Sequence, residues 1–352
     1  MCGKIASVHQ PARMATIVRR GILVYKRLLV PVFARYSQMS TNTKSNKTLV
    51  PPLCSPSWLV NKLNEKDIVL LDASWHMPNQ NRNGKQEFLI ERIGAARFFD
   101  LDEACDKASS YPHMLPSPQQ FSEYMELLSV SPSDHIVIYD AHGIFSSCRA
   151  FWTLKGFGHE KVSLLNGGLA RWKAEGFPVT TASECSDLVK SSYSASEFDK
   201  TMVVDYSCVA AIAASTEPRA IICDARSKDR FTGKAPEPRK GLSSGHMPSS
   251  KSISFDQVLK PGDASHSFKV FKSPEELQEF FVNAGLSYLH PIITTCGTGI
   301  TACILEFALK YGLYYPENSI APVSSQGSFN VSVYDGSWTE YASKQESIIH
   351  KD

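Results

Sequence analysis

Apolar positions along the chain fall into short β-branched runs, separated by stretches in which they recur every three or four residues, a pattern that predicts strands alternating with helices. Ser55-Pro56 opens a helix carrying Trp58, Leu59 and Leu63, and Ile68-Val69-Leu70-Leu71-Asp72 follows as a strand. Ser207 opens a similar unit, with Val209, Ile212 and Ala213 on the helix and Ala220-Ile221-Ile222-Cys223-Asp224 as the strand. Serine and final aspartate are 17 residues apart in both (55 to 72, 207 to 224). Farther on, Ser117-Pro118-Gln119-Gln120 leads a helix with Phe121, Tyr124, Met125 and Leu128 on one face, and a strand ends at Asp140. Ser273-Pro274-Glu275-Glu276 leads its counterpart, with Leu277, Phe280, Phe281 and Ala284, closed by Gly285 before a strand that ends at Cys296. Each start has a serine cap, proline at the first helical position and Gln or Glu at the third, which is a capping box. The spacing is again equal, 23 residues (117 to 140, 273 to 296). Two independent matches predict an internally duplicated α/β unit of about 150 residues. Alternating strands and helices imply that each copy is a mostly parallel sheet with helices on both faces. The expected bounds are 1–48 for a leader, 49–179 for a non-catalytic first domain, 180–200 for a Ser-rich linker, 201–343 for a catalytic second domain and 344–352 for a tail. Pro316 to Phe329 reads as a surface loop.

Composition is that of a globular protein, 43% hydrophobic and 20% charged, and it changes the picture mainly at the amino terminus. No acid precedes Glu65, while Lys4, Arg13, Arg19, Arg20, Lys26, Arg27, Arg35, Lys44, Lys47 and Lys62 place +10 there, so a net charge of +2 leaves −8 for the remainder. An acid-free leader with arginines, Ser and Thr, and apolar residues between its charges has the makeup of a mitochondrial transit peptide; the plainer alternative is a disordered basic tail. Starting at Met1 or Met14 keeps Arg19, Arg20, Lys26, Arg27 and Arg35, whereas starting at Met39 removes them, so one sequence is expected to supply a mitochondrial form and a cytoplasmic one. Lys26 and Arg27 interrupt the apolar stretch short of the roughly 20 residues that span a membrane. Nine cysteines without a C-x-x-C pair suit a reducing compartment, and no His/Cys spacing fits zinc, so neither metal nor cofactor is expected.

Candidate chemistry concentrates in Pro291-Ile-Ile-Thr-Thr-Cys296-Gly297-Thr298-Gly299-Ile300-Thr301-Ala302-Cys303-Ile304-Leu305. A buried strand ends at Cys296, and a tight loop leads into a helix marked by Ile304, Leu305, Ala308 and Leu309. Gly297 and Gly299 allow successive N–H groups to point at one spot beside a helix start, an arrangement that favours a thiolate and is expected to lower the thiol's pKa. A free cysteine is otherwise most often a small buried hydrophobe. Asp140 holds the matching position in the first copy, so one copy has a nucleophile and the other a carboxylate. Arg226 and Arg230 follow the strand end at Asp224 and share the rim of the sheet with Cys296. Their planar forks suit a small carboxylate, unless they serve only in surface ion pairs.

Seven stretches in one order carry a resemblance: Leu71-Asp72-Ala73-Ser74-Trp75, Pro112-His113-Met114-Leu115-Pro116, Asn166-Gly167-Gly168-Leu169-Ala170-Arg171-Trp172, Asp224-Ala225-Arg226-Ser227 through Arg230-Phe231, Ala235-Pro236-Glu237-Pro238-Arg239, Cys296 to Ala302, and Tyr334-Asp335-Gly336-Ser337-Trp338. From about Leu53 to Ser343 the chain resembles the tandem-domain sulfurtransferases of the rhodanese superfamily, and most of all the mercaptopyruvate sulfurtransferases. The resemblance implies that Cys296 takes a sulfane sulfur as a persulfide and that Arg226 and Arg230 hold the donor's carboxylate. It further implies that Gly297, Gly299, Ile300 and Thr301 line the donor site, and that Thr298, His113 and Asp102 form a hydroxyl–imidazole–carboxylate relay. Taken without the family, His113 is equally a structural histidine. Thiosulfate-preferring relatives place a basic residue after the nucleophile; Gly297 points instead to 3-mercaptopyruvate, with thiosulfate as the alternative donor. Two departures lie on loops: Arg92-Ile93-Gly94-Ala95-Ala96 where the family usually has His-Ile-Pro-Gly-Ala, and Ser249 in place of a glycine after Gly245-His246-Met247-Pro248.

A cysteine phosphatase needs arginine at the end of C-x₅-R, and Ala302 stands there. A silent binding scaffold has no use for the thiol. Expected partners are 3-mercaptopyruvate and an acceptor such as thioredoxin, a small thiol, cyanide or a tRNA-thiolation protein. Neither nucleic acid nor membrane is an expected partner, and the chain is expected to act as a monomer.

Overall fold

The computed structural model of the protein describes residues 50–181, 191–263, 266–286, 290–314 and 330–352. The leader, the middle of the 180–200 stretch and the Pro316 to Phe329 segment lie outside the described residues. Strands β1 (Leu53–Cys54), β2 (Ile68–Asp72), β3 (Arg97–Phe98), β4 (His135–Tyr139) and β5 (Val162–Leu165) form one sheet in the order β1-β5-β4-β2-β3. The second half contributes β6 (Val203–Val204), β7 (Ile221–Asp224), β8 (Lys251–Ser252), a hairpin of β9 (Leu259–Pro261) with β10 (Lys269–Phe271), then β11 (Ile292–Thr295) and β12 (Val331–Tyr334). Its sheet runs β6-β12-β11-β7-β8, the same order strand for strand, and every ladder in both sheets is parallel. Two parallel-sheet α/β domains therefore repeat one topology, as the spacing predicts.

Helix starts follow the sequence closely. Ser55 caps α1 (Pro56–Val60), and both capping boxes form, at α2 (Pro118–Leu127) and, in the second half, at the helix Pro274–Asn283. Ser117 and Gln120 exchange hydrogen bonds of 3.2 and 2.8 Å, and Ser273 and Glu276 bonds of 3.3 and 2.7 Å. The helix Tyr206–Ala213 departs from expectation. Asp205 caps it, accepting from the Cys208 amide at 2.9 Å, while the hydroxyl of Ser207 turns back to Asp205. Aspartate is as good a cap as serine, and it stands one residue before the helix, where the extended φ/ψ of a cap occurs.

The helices α3 (Ser147–Gly156) and α4 (Ala302–Tyr314) follow the two corresponding strand-end loops and pack on each other across the halves. Phe151 meets Phe307 edge to face at 5.2 Å, and Cys148, Ala150, Ile304, Leu305, Ala308 and Leu309 are fully buried in one core shared by both sheets. Each buried Leu or Ile contributes roughly 1.5–3 kcal/mol to holding this seam together. The described part of the 180–200 stretch lies against the first half: Tyr193 and Ala195 donate to Glu126 and Ser122 on α2, and Phe198 packs on Trp152. Residues 346–352 run back over the second half, where His246 and His350 exchange backbone bonds of 2.8 and 2.9 Å. No helix among the described residues is long and apolar enough to cross a membrane.

Candidate active site

Because β4 and β11 occupy the same place in their sheets, Asp140 and Cys296, the next residue in each, stand at equivalent strand ends. In the first half the loop amides converge on one point. The Oδ2 of Asp140 accepts from the amides of Phe145, Ser146 and Ser147 at 2.9, 3.1 and 3.0 Å and from the Ser147 hydroxyl at 2.6 Å. Such a cluster of N–H groups favours a negative charge. The first copy fills it with its own carboxylate.

In the second half the shorter cysteine leaves space instead. Cys296 is 2% exposed and lies on the wall of a cavity of about 420 Å³ lined also by Gly297, Thr298, Ile300 and Thr301 and, from the first half, by Trp75 and Phe145. The turn after β12 buttresses the loop: Cys296 N–H donates to Ser337 Oγ at 3.2 Å, and the carbonyls of Cys296 and Gly297 accept from the amides of Trp338 and Thr339 at 2.9 and 3.0 Å. A Cβ at position 297 would come within 3.2 Å of Arg230 Nη2. Gly299 is not on the cavity wall but behind it, at φ +78°, where a Cβ would meet Arg149 Nη1 at 2.6 Å. Gly299 is thus required both by its left-handed backbone and by the close approach of Arg149, whereas Gly297 only leaves room for the tip of Arg230.

His113 bridges the halves. Its Nδ1 lies 3.1 Å from Thr298 Oγ1 and its Nε2 2.9 Å from Asp102 Oδ1, while Trp75 Nε1 donates to Asp102 Oδ2 at 3.1 Å. A carboxylate only accepts, so Nε2 carries the proton and Nδ1 receives the threonine hydroxyl. Burial holds the imidazole pKa below its usual value, with Asp102 opposing in part; the hydrogen bond from His113 in turn lowers the Asp102 carboxyl. His113 adopts a left-handed φ of +64°, a costly conformation for a non-glycine residue. Two contacts enforce it: Arg149 Nη2 donates to the His113 carbonyl at 2.5 Å, and the Leu115 amide donates to Asp335 Oδ2 at 2.8 Å. Arg149 is ion-paired with Asp335 at 2.7 Å, off the hydrogen-bond line, and both are buried. Burial works against the Arg149 charge, but the charge and hydrogen bonding of the Asp335 carboxylate beside it lead the effects that offset burial and raise its pKa.

The arginines divide differently from expectation. Arg226 lines the cavity, but its fork is taken. Nε and Nη2 donate to Asp224 at 3.0 and 2.6 Å, Nη1 donates to Glu237 at 2.7 Å, Nη2 also donates to the Gly245 carbonyl at 2.7 Å, and the guanidinium lies 4.0 Å over Trp338. With its side chain fully buried, Arg226 organises the site from behind. Arg230 is partly exposed and holds Glu237 through Nε and Nη2. Arg239, to which the sequence reading gave no role, is the third arginine on the cavity wall. Burial lowers its pKa. Three arginines against Asp224 and Glu237 leave this wall with a net +1. Nothing local in the sequence points to Arg239, because Glu237, two positions before it, pairs with Arg226 and Arg230 instead.

The Rhodanese-like domain family matches the chain twice, over residues 55–175 and 209–344. The chain belongs to the rhodanese-like family. It is 37% identical over 334 residues to the Arabidopsis thaliana protein named thiosulfate/3-mercaptopyruvate sulfurtransferase 1, mitochondrial, covering 90% of this chain and 81% of that one. It is 34% identical to the Homo sapiens 3-mercaptopyruvate sulfurtransferase over 85% of this chain and 96% of the relative. Among solved structures, SseA from Escherichia coli, described as showing the fold of 3-mercaptopyruvate sulfotransferases, superposes with a TM-score of 0.68 at 33% identity over 82% of this chain and 99% of that one. Both rhodanese-like matches include their strand-end loop, the one with Asp140 and the one with Cys296.

Proposed function

We propose that the protein is a sulfurtransferase that moves sulfane sulfur from 3-mercaptopyruvate through a Cys296 persulfide to a thiol or cyanide acceptor, releasing pyruvate. One observation carries the reading: a single cavity joins Cys296, a net-positive arginine wall and the Thr298–His113–Asp102 chain. Arg230 and Arg239 receive the donor's carboxylate, while Arg226 fixes Glu237 behind them. The Cys296 thiolate attacks the donor's sulfur; the proton of that thiol passes through the Thr298 hydroxyl to His113 Nδ1. The carbon–sulfur bond breaks with its electron pair on the methylene carbon, giving the enolate of pyruvate, and His113 returns the proton to complete pyruvate. Asp102 keeps Nε2 protonated throughout. The donor's own S–H proton stays on the transferred sulfur, so the step leaves a Cys296–S–SH persulfide and pyruvate with no net change in protonation.

Intact-protein mass after incubation with 3-mercaptopyruvate tests the proposal. A gain of one sulfur with release of pyruvate, absent in Cys296→Ser, supports it; no gain from either donor leaves a binding scaffold. A higher specificity constant for thiosulfate makes the protein a thiosulfate sulfurtransferase instead, a reading favoured by the Arabidopsis relative's double name.

Residues 1–48 act in this reading as a mitochondrial leader, supported by their acid-free basic composition and by the mitochondrial Arabidopsis relative. Initiation at Met39 yields a cytoplasmic form. A reporter fused to residues 1–48 that stays cytosolic, unchanged when Arg19 and Arg20 are reversed in sign, removes the import role.

A further inference from the structure

The cavity at Cys296 is larger than its donor needs. A donor of seven non-hydrogen atoms fills on the order of 100–150 Å³, judged against about 30 Å³ for one water, of the roughly 420 Å³ present. The arginines and Thr298, the cavity end of the relay, supply one part of the lining. The rest of the wall is different in kind: Met77, Phe145 and Phe255 supply an apolar surface, Phe145 and Phe255 meeting edge to face at 5.7 Å, and Lys269 and Asp256 supply one charge of each sign. Neither Lys269 nor Asp256 has an ion-pair partner among the described residues, in contrast to Arg226 and Arg230, whose charges are met by Asp224 and Glu237. Lys269 stands on β10, and the β9–β10 hairpin is docked on the first half through the Phe271 amide to Asn166 Oδ1 at 3.1 Å. Asp256 sits beside Phe255 in the short helical turn Phe255–Val258.

We infer that this second part of the lining is the acceptor half of the cavity, and that Lys269 and Asp256 select small thiols bearing both a carboxylate and an ammonium, that is, α-amino-acid thiols. The inference rests on the proposed persulfide. The acceptor's thiolate attacks the outer sulfur of the Cys296 persulfide; the sulfur–sulfur bond breaks with its electron pair on Cys296 Sγ, and a new bond forms to the acceptor's sulfur. The acceptor leaves as a persulfide and Cys296 returns as a thiolate, with no net oxidation. Lys269 holds the carboxylate, Asp256 the ammonium on the same carbon, and Phe255 covers the methylene that joins that carbon to the sulfur.

A matrix of four thiols and two variants reads this directly. Cys296 is loaded with inorganic polysulfide, so that the test does not depend on 3-mercaptopyruvate, and discharge of the persulfide is followed by intact mass against L-cysteine, 3-mercaptopropionate, cysteamine and 2-mercaptoethanol. Taking the variant-to-wild-type rate ratio for each thiol cancels its intrinsic reactivity. Lys269→Gln should slow L-cysteine and 3-mercaptopropionate by roughly three- to tenfold and leave the other two unchanged; Asp256→Asn should slow L-cysteine and cysteamine alone, by a similar factor. Both residues are exposed, so folding is retained. Ratios that are the same for all four thiols, or a wild-type rate with L-cysteine that is linear in concentration to the solubility limit, overturn the acceptor half and favour delivery to a protein thiol. Failure of 3-mercaptopyruvate to load Cys296 overturns the proposed donor reaction and leaves this result standing.

Discussion

Replacing Arg226 and Arg239 by methionine, one at a time, separates the two roles that the geometry gives to neighbouring arginines. Arg226→Met removes the partner of Asp224, which is 1% exposed, and one of the two partners of Glu237. Leaving a buried carboxylate unpaired costs about 3–5 kcal/mol, and loss of the guanidinium from the face of Trp338 adds to it. With a urea dependence of about 2–3 kcal/mol per molar, the unfolding midpoint should fall by roughly 1–2 M. Arg239→Met removes a half-buried cation for which no ion-pair partner occurs among the described residues, so the midpoint should barely move. It should instead cost the charge-assisted hydrogen bonds to the donor carboxylate, about 1.5–3 kcal/mol, which is roughly 10- to 150-fold in kcat/KM for 3-mercaptopyruvate. Urea unfolding followed by tryptophan fluorescence and a steady-state assay of pyruvate release measure both. An Arg226→Met protein as stable as wild type with a selectively raised donor KM, or an Arg239→Met protein with unchanged kcat/KM, refutes the division of roles.

Asp140→Ala leaves three loop amides without their acceptor and should lower stability by about 3 kcal/mol, while Cys296 in the folded protein still accepts a sulfur. Because burial lowers the His113 pKa, the neutral imidazole persists below pH 6.5, and the acid limb of kcat should lie under that value. Asp102 raises the His113 pKa, so in Asp102→Asn the residual activity should show its acid limb at still lower pH; a shift upward would mean that another group governs the limb. Gly299→Ala forces a Cβ at φ +78° into Arg149 and should cost at least about 2 kcal/mol, read as a loss of folded protein at moderate urea. Ser249 adopts φ +61° on the surface, and Ser249→Gly should raise stability by about 0.5–1 kcal/mol, with no change in turnover.

Much of the architecture was legible because its signals are local. Proline and the capping boxes at Ser117 and Ser273 depend on four residues each, and the strand runs ending at Asp140 and Cys296 depend on five or fewer, so neither waits for tertiary contacts. The cap at Asp205 was misplaced by two residues for a related reason: Asp and Ser are nearly equal caps, and only the backbone angles distinguish the residue before the helix from the one inside it. The arginines were harder. Arg226 and Arg230 lie four residues apart, and nothing local reveals that the first points back at Asp224 while the second reaches the cavity. What decides it is Glu237, which is brought in by a loop of irregular backbone. Arg149 and Asp335 were invisible for the same reason, being 186 positions apart and meeting only at the seam between the halves.

The seam explains why a duplicated chain has one site and not two. Equivalent loops arise from equivalent strands, and the first still gathers its amides around a negative charge, but that charge is the Asp140 carboxylate and cannot leave. Once the first loop is self-filled, what the first half offers the second is position. Its segment around His113, strained at φ +64°, is held by Arg149 on one side and by Asp335 on the other, and this brings the imidazole to Thr298. A second-half fragment cut free would keep Cys296, Arg230 and Arg239 but lose the imidazole, the Asp102 carboxylate and the cover provided by Trp75 and Phe145. The burial that keeps His113 neutral and the cavity that admits the donor both depend on the α3–α4 contact. In the proposed reaction the two domains therefore act as one unit, with the nucleophile on one side and the proton path on the other.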